Sequence, residues 1–524
     1  MPLAWVVVCV EEPVLAHLIL ITTRLLRQFR LEIILLLILG AMVLTRGIDQ
    51  APLIDWDEAT YAEVAHEAVI NNSYLDFTWD GQPYLKKPPL LFWELAASFK
   101  TIGESEFAAR LPSVVMGIGS LLLVYAMAAE LFGRFGGLFA GLVPLGFYFF
   151  VARGGRECAT DASLVFFSTL AIFALCHARQ SRWWVSIAGA ACGLAILSKG
   201  LGGVIPLGVI LISVVALPAF AEIGLLGLAV IFAITLAVAA PWFIYQAVHN
   251  GSMFWSTYIK QETLMRVTSH LEDKRRAAGY TLRTFFAEIR HLWPLLLPLS
   301  ALSITAVVRG PISGLRRIPA SVAVWLIWLL LALGAACAVQ TKLGWYVLPA
   351  LIPAALLATS IIAGALMQAG AARQYCRPLT FAALALLILT SVGNWNRIES
   401  SFAVQRQHSL PSYQMAMRAD AFAVIHGSGD LYFAGISLPT LVYYSGMRCH
   451  FVSPSEPEFE LTDLGGNPIS VAYHELVLRD ADGNVTAVDN FDEEWGQSGP
   501  ESEPGLTLDT QYPAPEAEMR PTAE

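Results

Sequence analysis

The residues that could do chemistry in this chain fall into a few short runs. Asp55, Asp57 and Glu58 stand together in IDWDEA. Carboxylates this close can act as a general base, orient an acceptor or hold a cation. A hard divalent cation takes oxygen ligands, and Asp55, Asp57 and Asp161 are the acids that would supply them. The same run also suits an acid-rich helix start, with Asp57 as N-cap. Lys86-Lys87-Pro88-Pro89 comes next. A lysine at such a turn can face a lipid phosphate, or simply snorkel to the headgroups. Arg156 and Asp161 share the run ARGGRECATD, and Lys199 lies between two apolar runs. Lys342 and Tyr346 stand in TKLGWYVLP, and Glu262, Arg266 and His270 follow i, i+4, i+8 spacing. His66 reads as an interface residue. The seven cysteines form no CxxC pair and have no zinc spacing.

These residues must be held by membrane helices. Of 524 residues, 56% are apolar and only 14% charged, with a mean hydropathy of +0.57. A soluble surface needs about 25% charged residues, so a soluble enzyme is excluded, as is a disordered chain. Apolar runs predict eleven spans: 31–45, 112–132, 137–151, 162–177, 185–197, 201–217, 223–240, 292–308, 320–339, 346–366 and 379–393. Residues 1–30 read as a cytoplasmic or interfacial lead-in. Arg24, Arg27 and Arg30 precede the first span, and the positive-inside rule puts them in the cytoplasm. Alternate loops then carry Arg134, Arg179 with Arg182, Arg309 with Arg316 and Arg317, and Arg373 with Arg377.

The chemistry-bearing runs all fall on the opposite, outer side. Loop 46–110 holds eleven acids and five bases. In it, 57–70 has helical periodicity with Ala59, Ala62, Ala65 and Val69 on one side, and 84–100 carries Phe92, Trp93 and Phe99. Both predict helices in the outer interface. After Asn394 short alternating runs predict a small α/β domain over 394–485, then an acidic, disordered tail over 486–524. Residues 31–393 form the membrane module. Transporters tend to bury charge at midplane in broken helices, whereas charge at headgroup level suits a lipid-phosphate substrate.

Several motifs carry a resemblance. Asp57-Glu58-Ala-Thr-Tyr61-Ala-Glu63, Gly81-Gln-Pro-Tyr84-Leu-Lys-Lys87-Pro-Pro, and Glu106-Phe-Ala-Ala-Arg110-Leu-Pro112 come in order. Thr160-Asp161-Ala, Leu197-Ser-Lys199-Gly, Ala240-Pro-Trp242 and Lys342-Leu…Tyr346-Val-Leu-Pro349 follow. Over 31 to about 366 the chain resembles the ArnT/protein-mannosyltransferase group of GT-C membrane glycosyltransferases, bacterial and polyprenyl-phosphate-sugar dependent. The resemblance implies an all-α polytopic GT-C fold of 11–13 spans, with interfacial helices in the first outer loop. It implies transfer of a sugar from a polyprenyl-phosphate donor to lipid A, another envelope glycolipid or a glycan, with inversion, outside the cytoplasmic membrane. Asp57 and Asp161 match the family's acidic positions. Lys87 matches the lysine facing the donor phosphate, and Arg156, Lys199 and Lys342 further basic ones. Tyr346 matches the tyrosine of the late loop, and Glu58, Tyr61, Tyr84 and His270 are supporting positions. Two positions depart from the family pattern: Lys86 stands where members often have Glu, and Thr60 where many have Arg.

Two rival readings share these residues. One is a protein O-mannosyltransferase-like enzyme, the other a lipid or solute transporter without chemistry. Nucleic acid is not an expected partner, because such proteins are basic and this chain carries −9. That charge is unevenly spread. Residues 454–524 carry a net −15, leaving +6 on the rest.

Overall fold

The computed structural model describes residues 30–269, 279–294, 296 and 319–369, and short stretches between 385 and 490, among them 431–434 and 438–452. The lead-in at 1–29, most of the spans at 292–308 and 379–393, His270 and the tail from 491 lie outside the described residues.

Among the described residues, six helical stretches are long and apolar enough to cross a membrane. They cover Glu106–Gly146, Thr160–His177, Arg182–Ala216, Gly224–His249, Ala320–Ala338 and Gly344–Ala363, with a shorter apolar helix at Leu31–Thr45. Two of the six contain two of the expected spans each. The helix Glu106–Leu142 breaks at Gly133, whose φ of 72° few other residues adopt. The chain doubles back there. A Cβ on Gly137 would meet the Tyr125 carbonyl oxygen at 2.8 Å, and one on Gly141 would meet that of Leu121 at 3.3 Å. The separate spans expected at 112–132 and 137–151 are therefore two packed legs. The second double stretch breaks after Lys199, at Gly200 with φ 49°. A Cβ on Gly203 would run into the Ala195 carbonyl, so the chain folds back there too.

The bundle core is aliphatic and aromatic, with Tyr125, Phe147, Phe150, Trp325 and Trp328 buried at its centre. The helix Gly224–His249 has the opposite character: Leu225, Leu226, Phe232, Leu236 and Ile244 are all exposed. An apolar helix that leaves so much apolar surface uncovered has lipid as its solvent.

The first loop folds as helices Asp57–Ile70 and Leu90–Ile102, joined through a two-stranded hairpin of Thr78–Trp79 and Gln82–Pro83. Ala59, Ala62, Ala65 and Ala68 pack into Phe77, Phe92 and Phe99, the alanine stripe letting the two helices approach closely. Late in the chain, strands Leu431–Ala434, Cys449–Val452, Glu475–Arg479 and Val485–Asn490 form one sheet. The first two are parallel, and the crossover between them contains the helix Pro439–Ser445. The strand Val485–Asn490 crosses the boundary expected at 485.

Candidate active site

The site starts with a strained residue. Trp56 has φ 75° and ψ −104°, a conformation bulky side chains rarely adopt. Such strain costs about 1–3 kcal/mol and persists only where the surroundings impose it. It turns the chain into the helix Asp57–Ile70, in which successive side chains point about 100° apart. Asp57 opens the helix without capping it, contrary to the N-cap expectation, because its carboxylate is taken by tertiary partners. Tyr61, one turn on, donates its hydroxyl to Asp57 Oδ1 at 2.9 Å, and Arg153 Nη2 donates to Oδ2.

Arg153 is the hub of the site, and sequence reasoning missed it. Its Nε donates to Asp161 Oδ2 at 3.3 Å, and its Nη1 lies 3.5 Å from Glu157. Its guanidinium carbon lies 4.2 Å from the centre of the Trp345 ring. Lys199 completes the cluster, donating to Asp161 Oδ1 at 2.6 Å and lying 5.8 Å from the Tyr346 ring centre. Asp57, Asp161, Lys199 and Tyr346 thus converge from four segments around one arginine. Asp161 is 1% exposed, while the Asp57 side chain is 40% exposed and can meet a substrate. Desolvation pushes the Asp57 carboxyl up, but Arg153 and then Lys87 hold it well below the usual carboxylate range. Glu157 goes the other way: burial raises it to about 7 against the pull of Arg153. Arg153, Glu157 and Asp161 are spaced i, i+4, i+8, but residues 153–159 are not helical, so the spacing does not mark Arg153 over Arg156.

A second group of charges adjoins the first. Lys87 donates to Glu262 at 3.0 Å, and Arg266 binds both oxygens of the same carboxylate. Glu262 stands in a π-helical run at 255–265, an irregularity common at functional sites, and Arg266 directly follows it. Tyr84 lies close enough to both Asp57 and Glu262 that their charges, after desolvation, raise its hydroxyl well above its usual value.

Other expected residues lie elsewhere. Arg156 turns away from the cluster and binds the Arg46 carbonyl and Glu399. Lys342 donates to the carbonyls of Cys337 and Val339, closing the end of the helix Ala320–Ala338. Asp55 accepts from the Thr440 backbone N–H at 2.9 Å, tying the first loop to the late helix. Glu58 is buried and paired with Arg110 at 2.6 Å. Among the described residues no group of three or more His, Cys, Asp or Glu side chains is arranged to hold a metal ion. The cation that Asp57 and Asp161 share is Arg153.

An acidic group sits on the far face of the same helix. Glu63 is buried, and its Oε2 has no hydrogen-bond partner among the described residues. Desolvation, then Glu67, Asp80 and Glu104, raise its carboxyl from 4.5 to about 8. The folded state therefore holds this proton more tightly than the unfolded chain. Stability attached to it is present below about pH 4.5 and falls as pH rises to about 8. Glu63→Gln should flatten that slope in thermal unfolding of the detergent-solubilised protein. An unchanged slope would remove Glu63 as its cause.

With this geometry in place, comparison with known proteins is informative. Residues 86–249 match the family described as dolichyl-phosphate-mannose-protein mannosyltransferase. The chain is 29% identical over 321 residues to the undecaprenyl phosphate-alpha-4-amino-4-deoxy-L-arabinose arabinosyl transferase of Pseudomonas aeruginosa strain LESB58, covering 57% of this chain and 54% of that protein. It is 28% identical over 356 residues to the enzyme of the same name from Pseudomonas paraeruginosa, covering 64% and 60%. The chain thus spans little more than half the length of these curated relatives. The crystal structure of ArnT from Cupriavidus metallidurans bound to undecaprenyl phosphate shares the fold, with a TM-score of 0.64 at 18% identity over 81% of this chain and 86% of that one. The family match thus covers residues 86–249, and over 81% of the chain the fold is similar to that of ArnT.

Proposed function

We propose that the protein is an integral membrane glycosyltransferase of the bacterial inner membrane. It moves a sugar from a polyprenyl-phosphate donor to an envelope acceptor on the outer side, with inversion. The observation that carries this reading is the pairing of two charge groups. Asp57 and Asp161 are held by one arginine beside Lys199, and Lys87 with Arg266 lies next to them. The leaving group is a lipid phosphate, so negative charge builds as the sugar departs. Lys87 and Arg266 are placed to stabilise it, which is often the largest catalytic term. Asp57 orients the acceptor across the sugar from them.

The state of Asp57 bears on the acceptor. A carboxylate held well below its usual range is a weak base. An acceptor that is already anionic, such as the phosphate of lipid A, needs no base. A hydroxyl acceptor would need Arg153 to release Asp57 first. The relatives named as undecaprenyl phosphate aminoarabinose transferases support the polyprenyl-phosphate donor. The match at 86–249 to the protein mannosyltransferase family favours the second reading, a protein acceptor. A transporter using the same cations would move a ligand without a covalent product.

Purified enzyme incubated with polyprenyl-phosphate sugars and envelope extract should yield a glycosylated acceptor. Ligand movement without product would favour the transporter. Lys87→Ala should cut transfer about 10²-fold, mainly through the phosphate. Wild-type rate in that variant would remove Lys87 from the site.

A further inference from the structure

We propose that Glu262 is a tethered anion that yields Lys87 to the lipid phosphate, and that it favours the phosphodiester donor over the phosphate monoester product. This rests on reading Lys87 as the phosphate ligand.

Three contacts carry the inference. Lys87 Nζ donates to Glu262 Oε2 at 3.0 Å, Arg266 Nε donates to the same oxygen at 3.0 Å, and Arg266 Nη2 donates to Oε1 at 3.1 Å. Two cations from segments 175 residues apart converge on one carboxylate, as they would on a phosphate. The Lys87 and Arg266 side chains are each 21% exposed and that of Glu262 16%, so a ligand can reach them. The two bonds differ in kind. Glu262 and Arg266 lie at i and i+4, and that pair can persist while the chain around it stays put. The bond to Lys87 crosses between segments and is the one an arriving phosphate replaces. Glu262 then remains beside the bound phosphate.

Charge arithmetic gives the consequence. Lys87, Arg266 and Glu262 sum to +1, which matches a sugar phosphodiester at −1. In transfer an acceptor oxygen forms a bond to the anomeric carbon, any hydroxyl proton leaving to solvent, while the anomeric C–O bond to the phosphate breaks and leaves its electron pair on the phosphate oxygen. The product is a monoester carrying about −1.5 to −2 near pH 7. The added charge lies against the Glu262 carboxylate and is repelled. Glu262 thus weakens hold on the product more than on the donor, which hastens release.

The test measures binding of undecaprenyl phosphate and of its methyl diester to wild type, Glu262→Gln, Glu262→Asp and Lys87→Ala. Glu262→Gln should bind the monoester about tenfold more tightly, and the diester more tightly by a clearly smaller factor. Glu262→Asp, which keeps the charge, should stay near wild type. Equal gains for the two lipids, or weaker monoester binding, would overturn the role of Glu262 while Lys87→Ala still loses both ligands. Binding of both lipids that ignores Lys87→Ala would instead overturn the phosphate site itself.

Discussion

Asp57→Asn should lower sugar transfer by about 10³-fold while leaving polyprenyl-phosphate binding within a few-fold of wild type. Asn keeps the shape of the side chain but loses its charge. Arg153 retains Asp161 and Glu157 as partners, so the fold has no reason to collapse. What is lost is the exposed anion that the proposed function sets against the acceptor. Lys87 and Arg266 keep Glu262 as their shared partner. A parallel loss of donor binding and rate would mean that Asp57 shapes the donor pocket instead. Because Asp57 is anionic far below neutrality, the wild-type rate should show no acid limb from this residue above about pH 4.

Glu58→Ala should unfold the first loop and cost about 3–5 kcal/mol, more than any other single change near the site. Glu58 and Arg110 are both almost fully buried. Glu58 accepts from Arg110 twice and from the backbone N–H groups of Ile54 and Cys158. Arg110 spends its remaining donors on the carbonyls of Ile48, Ala51 and Pro52. This pair therefore pins the turn that carries Trp56 and Asp57. Without Glu58 a buried guanidinium loses its counter-charge. Thermal unfolding and proteolysis of the 46–60 region should both show the loss. A Glu58→Ala protein with wild-type stability and reduced rate would return Glu58 to the chemistry.

Adjacent Asp57 and Glu58 show how far the sequence can be read. Both are acids in one motif, and spacing cannot separate them. One faces the site and the other a buried arginine, because neighbours on a helix point about 100° apart and only the fold decides which side is which. Arg153 and Arg156 pose the same problem in reverse. The loop contains two arginines three residues apart, and only packing against Trp345 and the two carboxylates selects Arg153. The membrane spans were more legible, since apolar length is a one-dimensional property. Gly133 and Gly200 decide where long apolar helices fold back, and each needs a backbone conformation that composition does not encode. The links from Asp55 to Thr440 and from Tyr444 to the backbone N–H of Leu53 join segments about 390 residues apart, and no local pattern announces them.

The most direct measurement is mass spectrometry of envelope lipids and glycans from a strain lacking this protein, and from that strain carrying the wild-type or Asp57→Asn chain. The account predicts that one envelope component loses the mass of a single sugar, and that the wild-type chain restores it while Asp57→Asn does not. Envelope components unchanged by the deletion, or full restoration by Asp57→Asn, would contradict it.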